Sequence, residues 1–238
     1  MRAAKGIPST AAITPIQFCE KYCQYVDEGY TDVIHVPINR SGSSTYNNAV
    51  MAQGMLREER PEHHLNIHLL DPHTYSMVFG WYLCEMARKL QNGAELRHVI
   101  SEFESQMNKM EVILGPYSLK QMKKSGRISA AAAVMGELMG IRPIITLIDG
   151  KTRVESKVRG DDKVIPAMID LCKKRTEGVE DFDYMIGHTS IPQAAELEKA
   201  CRKAFGKAPL VTFNLGGVVS ANTGPDTLAL VYVGKPRD

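Results

Sequence analysis

The alternation of short β-branched runs with longer helical patterns limits the possible folds of this chain more than any other sequence feature. In the first half, strands are predicted at residues 32–38, 65–70 and 111–114. Helical patterns lie at residues 45–59, 76–90 and 94–108. Successive β-then-α units favour a parallel sheet that is covered by helices. We therefore expect an α/β domain here, with residues 111–114 as its third strand.

The second half of the chain predicts a different arrangement. Residues 143–148 and 153–158 are expected to form two strands joined at Asp149-Gly150, a dipeptide that is typical of hairpin turns. Further helices are predicted at residues 161–176 and 191–205, and further strands at 183–186, 210–214 and 228–233, with a loop at 216–226. The sequence thus indicates two α/β domains, a parallel-sheet domain over residues 1–115 and a mixed-sheet domain over residues 116–238.

The charge balance and the cysteine content exclude several classes of protein. Lys and Arg total 29 and Asp and Glu total 27, without a long basic block, so a general nucleic-acid binder is not expected. Five cysteines, spread along the chain except for Cys19 and Cys23, favour a reduced, cytoplasmic protein. No apolar run approaches the roughly 18 residues that a membrane span needs.

A run of hydroxyl side chains, Ser41-Gly42-Ser43-Ser44-Thr45-Tyr46, stands between the first predicted strand and its helix. The free backbone N–H groups and the dipole of a helix N-terminus form an anion site. Ser43, Ser44 and Thr45 can add donors for a carboxylate or a phosphate. The alternative is that one of these residues only caps the helix. Both interpretations fit the sequence.

Two arginines are candidates for further anion-binding positions. Arg127 lies in the turn Lys124-Ser125-Gly126-Arg127-Ile128-Ser129, where the glycine permits a tight bend and the guanidinium offers a fork for carboxylates. Arg159 stands at the end of the second hairpin strand. The alternative to anion binding is that Arg127 is a solvated residue of a basic turn and Arg159 a solvated residue at a strand end.

The sequence offers no convincing catalytic nucleophile, metal site or nucleotide-binding loop. Gly150-Lys151-Thr152 lacks the upstream glycine of a P-loop, because Ile145 occupies that position. Four histidines lie within residues 63–73, but two of them are in a polar loop, so zinc is not expected there. Cys19 and Cys23 lie on one helix face without a matching pair elsewhere, and we predict that they are small buried residues.

A set of short motifs follows a specific order along the chain. The set comprises Gly29-Tyr30, Ser43-Ser44-Thr45-Tyr46, Asp71 with Ser76-Met77, Lys124-Ser125-Gly126-Arg127-Ile128-Ser129, Ile141-Arg142-Pro143-Ile144, Val158-Arg159-Gly160 and Thr223-Gly224-Pro225. In this order the motifs resemble those of the DegV family of bacterial fatty-acid-binding proteins, which includes the fatty-acid-binding subunit of fatty acid kinase. Each motif is weak alone, and the ordered set is specific.

The resemblance implies a two-domain DegV-like α/β fold in which a fatty acid lies in an apolar tunnel with its carboxylate at the interdomain cleft. Ser43 would be the head-group hydroxyl and Thr10 its partner, and residues 77–79 and 130–139 would line the tunnel. The implied ligand-binding residues are Thr10, Ser43, Ser44, Thr45, Arg127, Arg159 and Asn222. The implied function is that of a non-enzymatic carrier, which needs no cofactor besides a bound long-chain fatty acid and presents this acid to a partner fatty acid kinase.

Departures from the family pattern bear on this interpretation. Asn222 stands where the family typically has histidine, and it can donate a hydrogen bond but cannot become cationic. Asp226 replaces a glycine and adds a negative charge close to the implied carboxylate. The chain is also expected to lack the family's leading segment with its first strand, so that the first domain is incomplete. The alternatives are a phosphotransfer or hydrolytic enzyme that uses Asp71, His188 or Asp226, and a degenerate paralogue that binds another amphiphile.

Overall fold

The computed structural model describes residues 8–127 and 140–236, and the chain divides into two compact units. The smaller unit is Ala11–Tyr75, and the larger unit combines Met1–Thr10 with Ser76–Asp238. Along the sequence, the smaller unit is therefore inserted between two segments of the larger one. Each unit has its own sheet and its own hydrophobic core.

The smaller unit combines two parallel strands with two helices. Its elements are α1 (Pro15–Asp27), β1 (Asp32–His35), α2 (Thr45–Glu59) and β2 (Asn66–Leu69). Asp32 lies opposite Asn66 and His35 opposite Leu69 in the parallel register. Both strands therefore end at the same edge of the sheet.

The core of the smaller unit depends on close packing of its two helices. Ala49, Ala52 and Leu56 form a buried stripe on α2, because residues three or four positions apart share one helix face. They belong to one apolar cluster with Phe18 and Tyr22 of α1. The small alanines let α1 and α2 approach closely, which brings other side chains of the two helices into contact.

The larger unit contains a six-stranded mixed sheet. Its elements are α3 (Met77–Gln91), α4 (Leu96–Met107), β3 (Met110–Pro116), α5 (Lys120–Ser125), β4 (Ile141–Ile148), β5 (Lys151–Arg159), a 3₁₀ turn (Asp161–Lys163), α6 (Val164–Arg175), β6 (Tyr184–His188), α7 (Gln193–Phe205), β7 (Thr212–Asn214), α8 (Gly216–Thr223) and β8 (Thr227–Val233). The strand order is β5-β4-β3-β8-β6-β7. The pairs are antiparallel except for β6 and β7, which run parallel.

Helix α6 packs against the centre of this sheet, where β3 is buried along its whole length. The close approach requires a glycine in β3. A Cβ at Gly115 would lie 2.4 Å from Met168 Sδ and 2.8 Å from Val164 Cγ1, both on α6. Apolar side chains of both faces then exclude water from the middle strands.

A buried polar network joins three elements of the larger unit. Glu111 of β3 accepts hydrogen bonds from the Tyr232 hydroxyl of β8 at 2.6 Å and from Arg175 Nη2 of α6 at 2.9 Å, and also from Arg175 Nε. Burial and the bond to Glu111 raise the pKa of Tyr232, and the bond to Glu111 raises the pKa of Arg175. Tyr232 therefore stays a donor and Arg175 stays charged, so that the negative charge of Glu111 is compensated inside the sheet.

The predicted hairpin is confirmed. Asp149 and Gly150 adopt φ angles of 50° and 70°, as a type I′ turn requires, and Ile148 pairs with Lys151 across the turn. The second strand of the hairpin, β5, is one of the two edge strands of the sheet. Its exposed side chains include Lys151, Arg153, Lys157 and Arg159.

The predicted fold class is confirmed, because one unit has a parallel sheet and the other a mixed sheet, both with helices. The prediction that residues 111–114 complete the parallel sheet is wrong, since β3 pairs antiparallel with β4 and β8. The predicted boundary after residue 115 accordingly falls at the end of β3, whereas the chain passes into the larger unit at Ser76. A β-then-α succession gives the order of elements but not the sheet that a strand joins.

Two other sequence predictions concern single segments. Residues 216–226 are predicted as a loop, which is wrong because they contain α8. Helix propensities do not predict α8, because it begins with glycines and is short. Residues 130–139, which the family resemblance assigns to the tunnel, lie outside the described residues. In the two ranges that are described, no helix is long and apolar enough to cross a membrane.

Candidate functional site

Two loops meet at the carboxyl edge of the small parallel sheet. The first follows β1 and leads into α2, and the second follows β2 and ends at Tyr75. The Asn39 N–H donates to the Thr74 carbonyl at 3.0 Å, and the Arg40 N–H donates to Asp71 Oδ1 at 3.4 Å. Ligands of open α/β sheets commonly bind outside the carboxyl ends of the strands. This edge is therefore the candidate ligand site of the smaller unit, and we call it the carboxyl edge.

Asn39 is buried, with 1% of its surface exposed, and it organises the first loop. Its Oδ1 accepts hydrogen bonds from the Ser41 N–H and hydroxyl, both at 3.1 Å, and its carbonyl accepts from the Gly42 N–H at 3.1 Å. Its Nδ2 donates to the Tyr75 hydroxyl at 3.0 Å. Sequence reasoning missed Asn39, although an asparagine shortly after a strand is a signal for a turn.

Gly42 is required by close packing and not by its backbone conformation, since its φ is not positive. A Cβ at this position would lie 1.8 Å from the Tyr75 hydroxyl oxygen and 2.9 Å from Tyr75 Cζ. Burial raises the pKa of Tyr75, so its hydroxyl stays protonated at neutral pH. The ring of Tyr75 thus closes one side of the first loop.

The predicted hydroxyl run lies at the N-terminus of α2. Ser43 Oγ lies 2.7 Å from Thr45 Oγ1 and accepts a hydrogen bond from the Thr45 N–H at 3.2 Å. Ser44 is the N-cap residue, but its side chain makes no capping hydrogen bond. Of the three hydroxyl residues, Ser43 therefore accepts a hydrogen bond from a backbone N–H at the start of the helix, as the capping alternative requires, whereas the N-cap residue Ser44 does not. The structure brings Ser43 and Thr45 together at a helix end that favours anions.

Charged side chains at the carboxyl edge come from both loops. Arg40 is exposed, with its Nε 4.0 Å from Asp71 Oδ2 and its guanidinium carbon 5.5 Å from the centre of the Tyr46 ring. Asp71 Oδ2 and Thr74 Oγ1 are buried atoms for which the described residues provide no hydrogen-bond partner. Such atoms are rare in folded proteins and call for a functional explanation. Sequence reasoning missed Arg40, although a basic residue directly before a hydroxyl run is a signal for anion binding.

The two predicted arginines belong to the larger unit, each at the end of an element. Arg127 follows Gly126, which ends α5 with a φ of 68°, and its Nη1 donates to the Ser125 carbonyl at 2.9 Å. Arg159 is the exposed last residue of β5 and pairs with Ile141 of β4. Both positions fit the plain alternatives as well as a ligand contact.

Asn222 and Thr10 also belong to the larger unit. Asn222 lies in the last turn of α8, where its Nδ2 donates to the Val218 carbonyl at 2.9 Å. Helix α8 packs against α5, and Gln121 Nε2 of α5 donates to the Ala221 carbonyl. Thr10 is half-buried. The amide of Asn222 is thus already bonded within its own helix.

A cleft of about 410 Å³ opens beside α8 in the larger unit. Its lining residues are Thr189, Ser190, Asn214, Gly216, Gly217, Ser220 and Pro225. The predicted ligand-binding residues are not among them. Hydroxyls, an amide, glycine backbone and the apolar ring of Pro225 line this cleft.

The residues of the enzymatic alternative have local structural roles. Asp71 belongs to the smaller unit, and His188 and Asp226 belong to the larger one. His188 Nδ1 accepts a hydrogen bond from the Ser190 N–H at 2.9 Å, and the Asp226 carbonyl accepts from the Tyr117 N–H at 2.8 Å. These contacts fit ordinary structural roles, for His188 at the end of β6 and for Asp226 in the turn before β8.

Solved structures share the fold of this chain. A stearic-acid-binding protein from Eubacterium ventriosum matches with a TM-score of 0.87 at 20% identity, over 98% of this chain and 80% of that one. A fatty-acid-binding DegV family protein from Streptococcus agalactiae matches with a TM-score of 0.83 at 26% identity, over 98% of this chain and 81% of that one. The fold is therefore that of the two-domain α/β proteins of the DegV type.

Sequence relatives point to the same group. The profile of the DegV family, described as uncharacterised proteins, matches residues 1–235. A DegV domain-containing protein of Clostridium perfringens is 28% identical in an alignment of 232 positions that covers 95% of this chain and 78% of that protein. Another, from Staphylococcus aureus, is 28% identical in an alignment of 240 positions that covers 99% of this chain and 80% of that protein. The chain belongs to the DegV family.

Proposed function

We propose that this protein binds a long-chain fatty acid and does not itself catalyse a reaction. The fatty-acid-binding relative from Streptococcus agalactiae, which shares the fold and 26% of the sequence, supports this proposal. The structural observation that carries it is the pair of hydroxyls on Ser43 and Thr45, 2.7 Å apart at the N-terminus of α2. A carboxylate that leaves water needs several hydrogen-bond donors, and a helix N-terminus with adjacent hydroxyls supplies them.

The carboxylate and the acyl chain contribute differently to the proposed complex. Each buried methylene contributes about 0.8 kcal/mol, so the acyl chain supplies most of the affinity. The Ser43 turn orients the head group through hydrogen bonds. The exposed guanidinium of Arg40 attracts the negative charge of the ligand and offsets that of Asp71, from which its Nε lies 4.0 Å away.

Further parts of the proposal rest on the family resemblance. They are an apolar tunnel, a partner fatty acid kinase that receives the bound acid, and ligand contacts by Thr10, Arg127, Arg159 and Asn222. Of the proposed tunnel residues 77–79, Val78 is buried and Met77 is exposed. Because Asn222 cannot become cationic, binding of the charged head group depends on hydroxyls and arginines in this chain.

Denaturing the purified protein into a mass spectrometer is expected to release a stoichiometric long-chain fatty acid. The physical reason is that a buried acyl chain dissociates slowly enough to survive purification. An unrelated protein purified in the same way serves as the control for carried-over lipid. The absence of a released acid, together with no binding after reconstitution with fatty acids, would overturn the proposed function. Displacement of a labelled fatty acid by another amphiphile that binds more tightly would favour the alternative of a degenerate paralogue.

The double variant Thr10→Ala/Ser43→Ala is expected to bind fatty acid about tenfold more weakly or worse, because a hydrogen bond to a charged group contributes about 1.5–3 kcal/mol. Displacement of a fluorescent fatty acid measures the change. Ser43→Thr, which keeps a hydroxyl, is expected to retain most of the affinity. Ser101→Ala, on an exposed position of α4, is the matched control. Unchanged affinity in the double variant would remove the head-group assignment.

A further inference from the structure

Two thiols and a carboxylate converge on the smaller unit, away from the carboxyl edge. Cys19 and Cys23 are four residues apart on α1 and therefore share one face of the helix. Glu59 is the last residue of α2, which packs against α1. Cys19 Sγ lies 3.1 Å and Cys23 Sγ 3.3 Å from Glu59 Oε2. The fatty-acid proposal makes no use of this group.

The spacing of these three atoms fits the ligand shell of a metal ion. All three lie within 4.8 Å of one another. In a tetrahedral zinc site, bonds of about 2.3 Å to sulfur and about 2.0 Å to oxygen separate neighbouring ligand atoms by about 3.5 Å. The observed sulfur-to-oxygen distances of 3.1 Å and 3.3 Å are close to this value. Small side-chain rotations therefore suffice to place one ion among the three atoms.

The two thiols point at the same carboxylate oxygen, Glu59 Oε2. A reactive cysteine needs a lowered pKa and a cationic surrounding. Here both thiols instead donate hydrogen bonds to a carboxylate, and a bound cation would take the place of these two protons.

The three residues also differ in exposure, which gives an ion a route to the group. Cys19 is buried, Cys23 is half-buried and Glu59 is exposed. Arg60, the residue after Glu59, is paired with Asp27, with its Nη2 3.8 Å from Asp27 Oδ2. An ion can therefore approach from the Glu59 side and be held against the buried sulfur.

We propose that Cys19, Cys23 and Glu59 bind one Zn²⁺ ion, with a solvent molecule as the fourth ligand. Two Zn–S bonds and one Zn–O bond to Glu59 replace bonds from the hydrated ion to water, of which one is kept; the two thiol protons pass to solvent, and no atom changes its oxidation state. Thiolates select zinc, cadmium or copper(I) over magnesium and calcium, and the carboxylate oxygen favours zinc over copper(I). Three protein ligands leave one open position, as in exchangeable or catalytic zinc sites rather than closed structural ones.

Titration of the reduced, metal-free, untagged protein with Co²⁺ tests this site, because cobalt bound by thiolates absorbs in the near ultraviolet. We expect one equivalent to bind with thiolate-to-cobalt absorption and one equivalent of Zn²⁺ to displace it. Cys23→Ser and Glu59→Gln each remove a ligand. Each is expected to weaken binding by more than the roughly 10–100-fold that loss of an outer partner costs. Cys84→Ser removes an exposed thiol of the larger unit and is expected to bind normally.

Circular dichroism of the metal-free variants confirms that they are folded, and Cys23 and Glu59 are suitable positions because neither is fully buried. Wild-type protein that binds cobalt no more tightly than Cys23→Ser would overturn the proposal. Equal loss of absorption in Cys84→Ser would overturn it as well, because the thiolate would then come from outside the group. Fatty-acid binding is measured in a separate experiment, and the variants are expected to retain it because they leave the residues of the carboxyl edge unchanged.

Discussion

Replacing Arg175 by methionine is expected to lower the free energy of unfolding of the larger unit by about 3 kcal/mol. The substitution leaves Glu111 buried in β3 with the Tyr232 hydroxyl, at 2.6 Å, as its remaining side-chain partner in the part of the chain that the structure describes. An uncompensated carboxylate in a sheet costs far more than a lost surface contact. Trp81, the only tryptophan of the sequence, lies in α3 of the larger unit. Its fluorescence during urea denaturation therefore measures the stability of this unit.

Arg202→Met is the matched control for this experiment. Arg202 pairs with Glu198 four residues earlier on α7, and half of its side chain is exposed. Exposed pairs of this kind contribute about 0.3–0.5 kcal/mol. If Arg175→Met and Arg202→Met lose the same stability, the buried network contributes no more than a surface pair, and its assigned role in the sheet is wrong.

Replacing Gly42 by alanine is expected to disrupt the carboxyl edge. The new Cβ would lie 1.8 Å from the Tyr75 hydroxyl oxygen, so the ring must move and lose its hydrogen bond from Asn39. Forcing a methyl group into a packed position costs about 1–3 kcal/mol. Hydrogen exchange of residues 36–45 and 70–75 is expected to accelerate, and fatty-acid binding is expected to weaken, while the fluorescence transition of Trp81 stays unchanged.

Gly54→Ala provides a glycine control on the same unit. Gly54 lies in α2, and a Cβ there would meet no atom within 4 Å. Because alanine has a higher helix propensity than glycine, this variant is expected to gain about 1 kcal/mol of stability. Similar hydrogen exchange in Gly42→Ala and Gly54→Ala would contradict the packing of Tyr75 against the first loop.

Local signals in the sequence predict single elements well. The predicted helix at 45–59 matches Thr45–Glu59, and the Asp149-Gly150 turn forms as expected, because helical periodicity and turn dipeptides are local patterns. The sheet that β3 joins depends on pairing with β8, over a hundred residues later, with Met110 opposite Val233. No local pattern in residues 110–116 carries this information.

The candidate site shows the same division between local and distant causes. The Ser43 turn is predictable, because a hydroxyl run before a helix is a local pattern. The contacts of Asn39 and Gly42 are not predictable, because both are made with Tyr75, and the hydrogen bond between Asn39 and Tyr75 spans 36 positions. The partner of Cys19 is likewise hidden, since Glu59 is 40 positions away.

The cations of β5 have a consequence for the behaviour of the chain at high concentration. An outermost strand presents unpaired backbone groups to other molecules and is a common starting point for aggregation. Lys151, Arg153, Lys157 and Arg159 are exposed along this strand. A second copy that added its own β5 to this edge would bring like charges against one another across the new pair. The four cations are therefore expected to disfavour pairing of a second copy along this edge of the sheet, independently of any ligand.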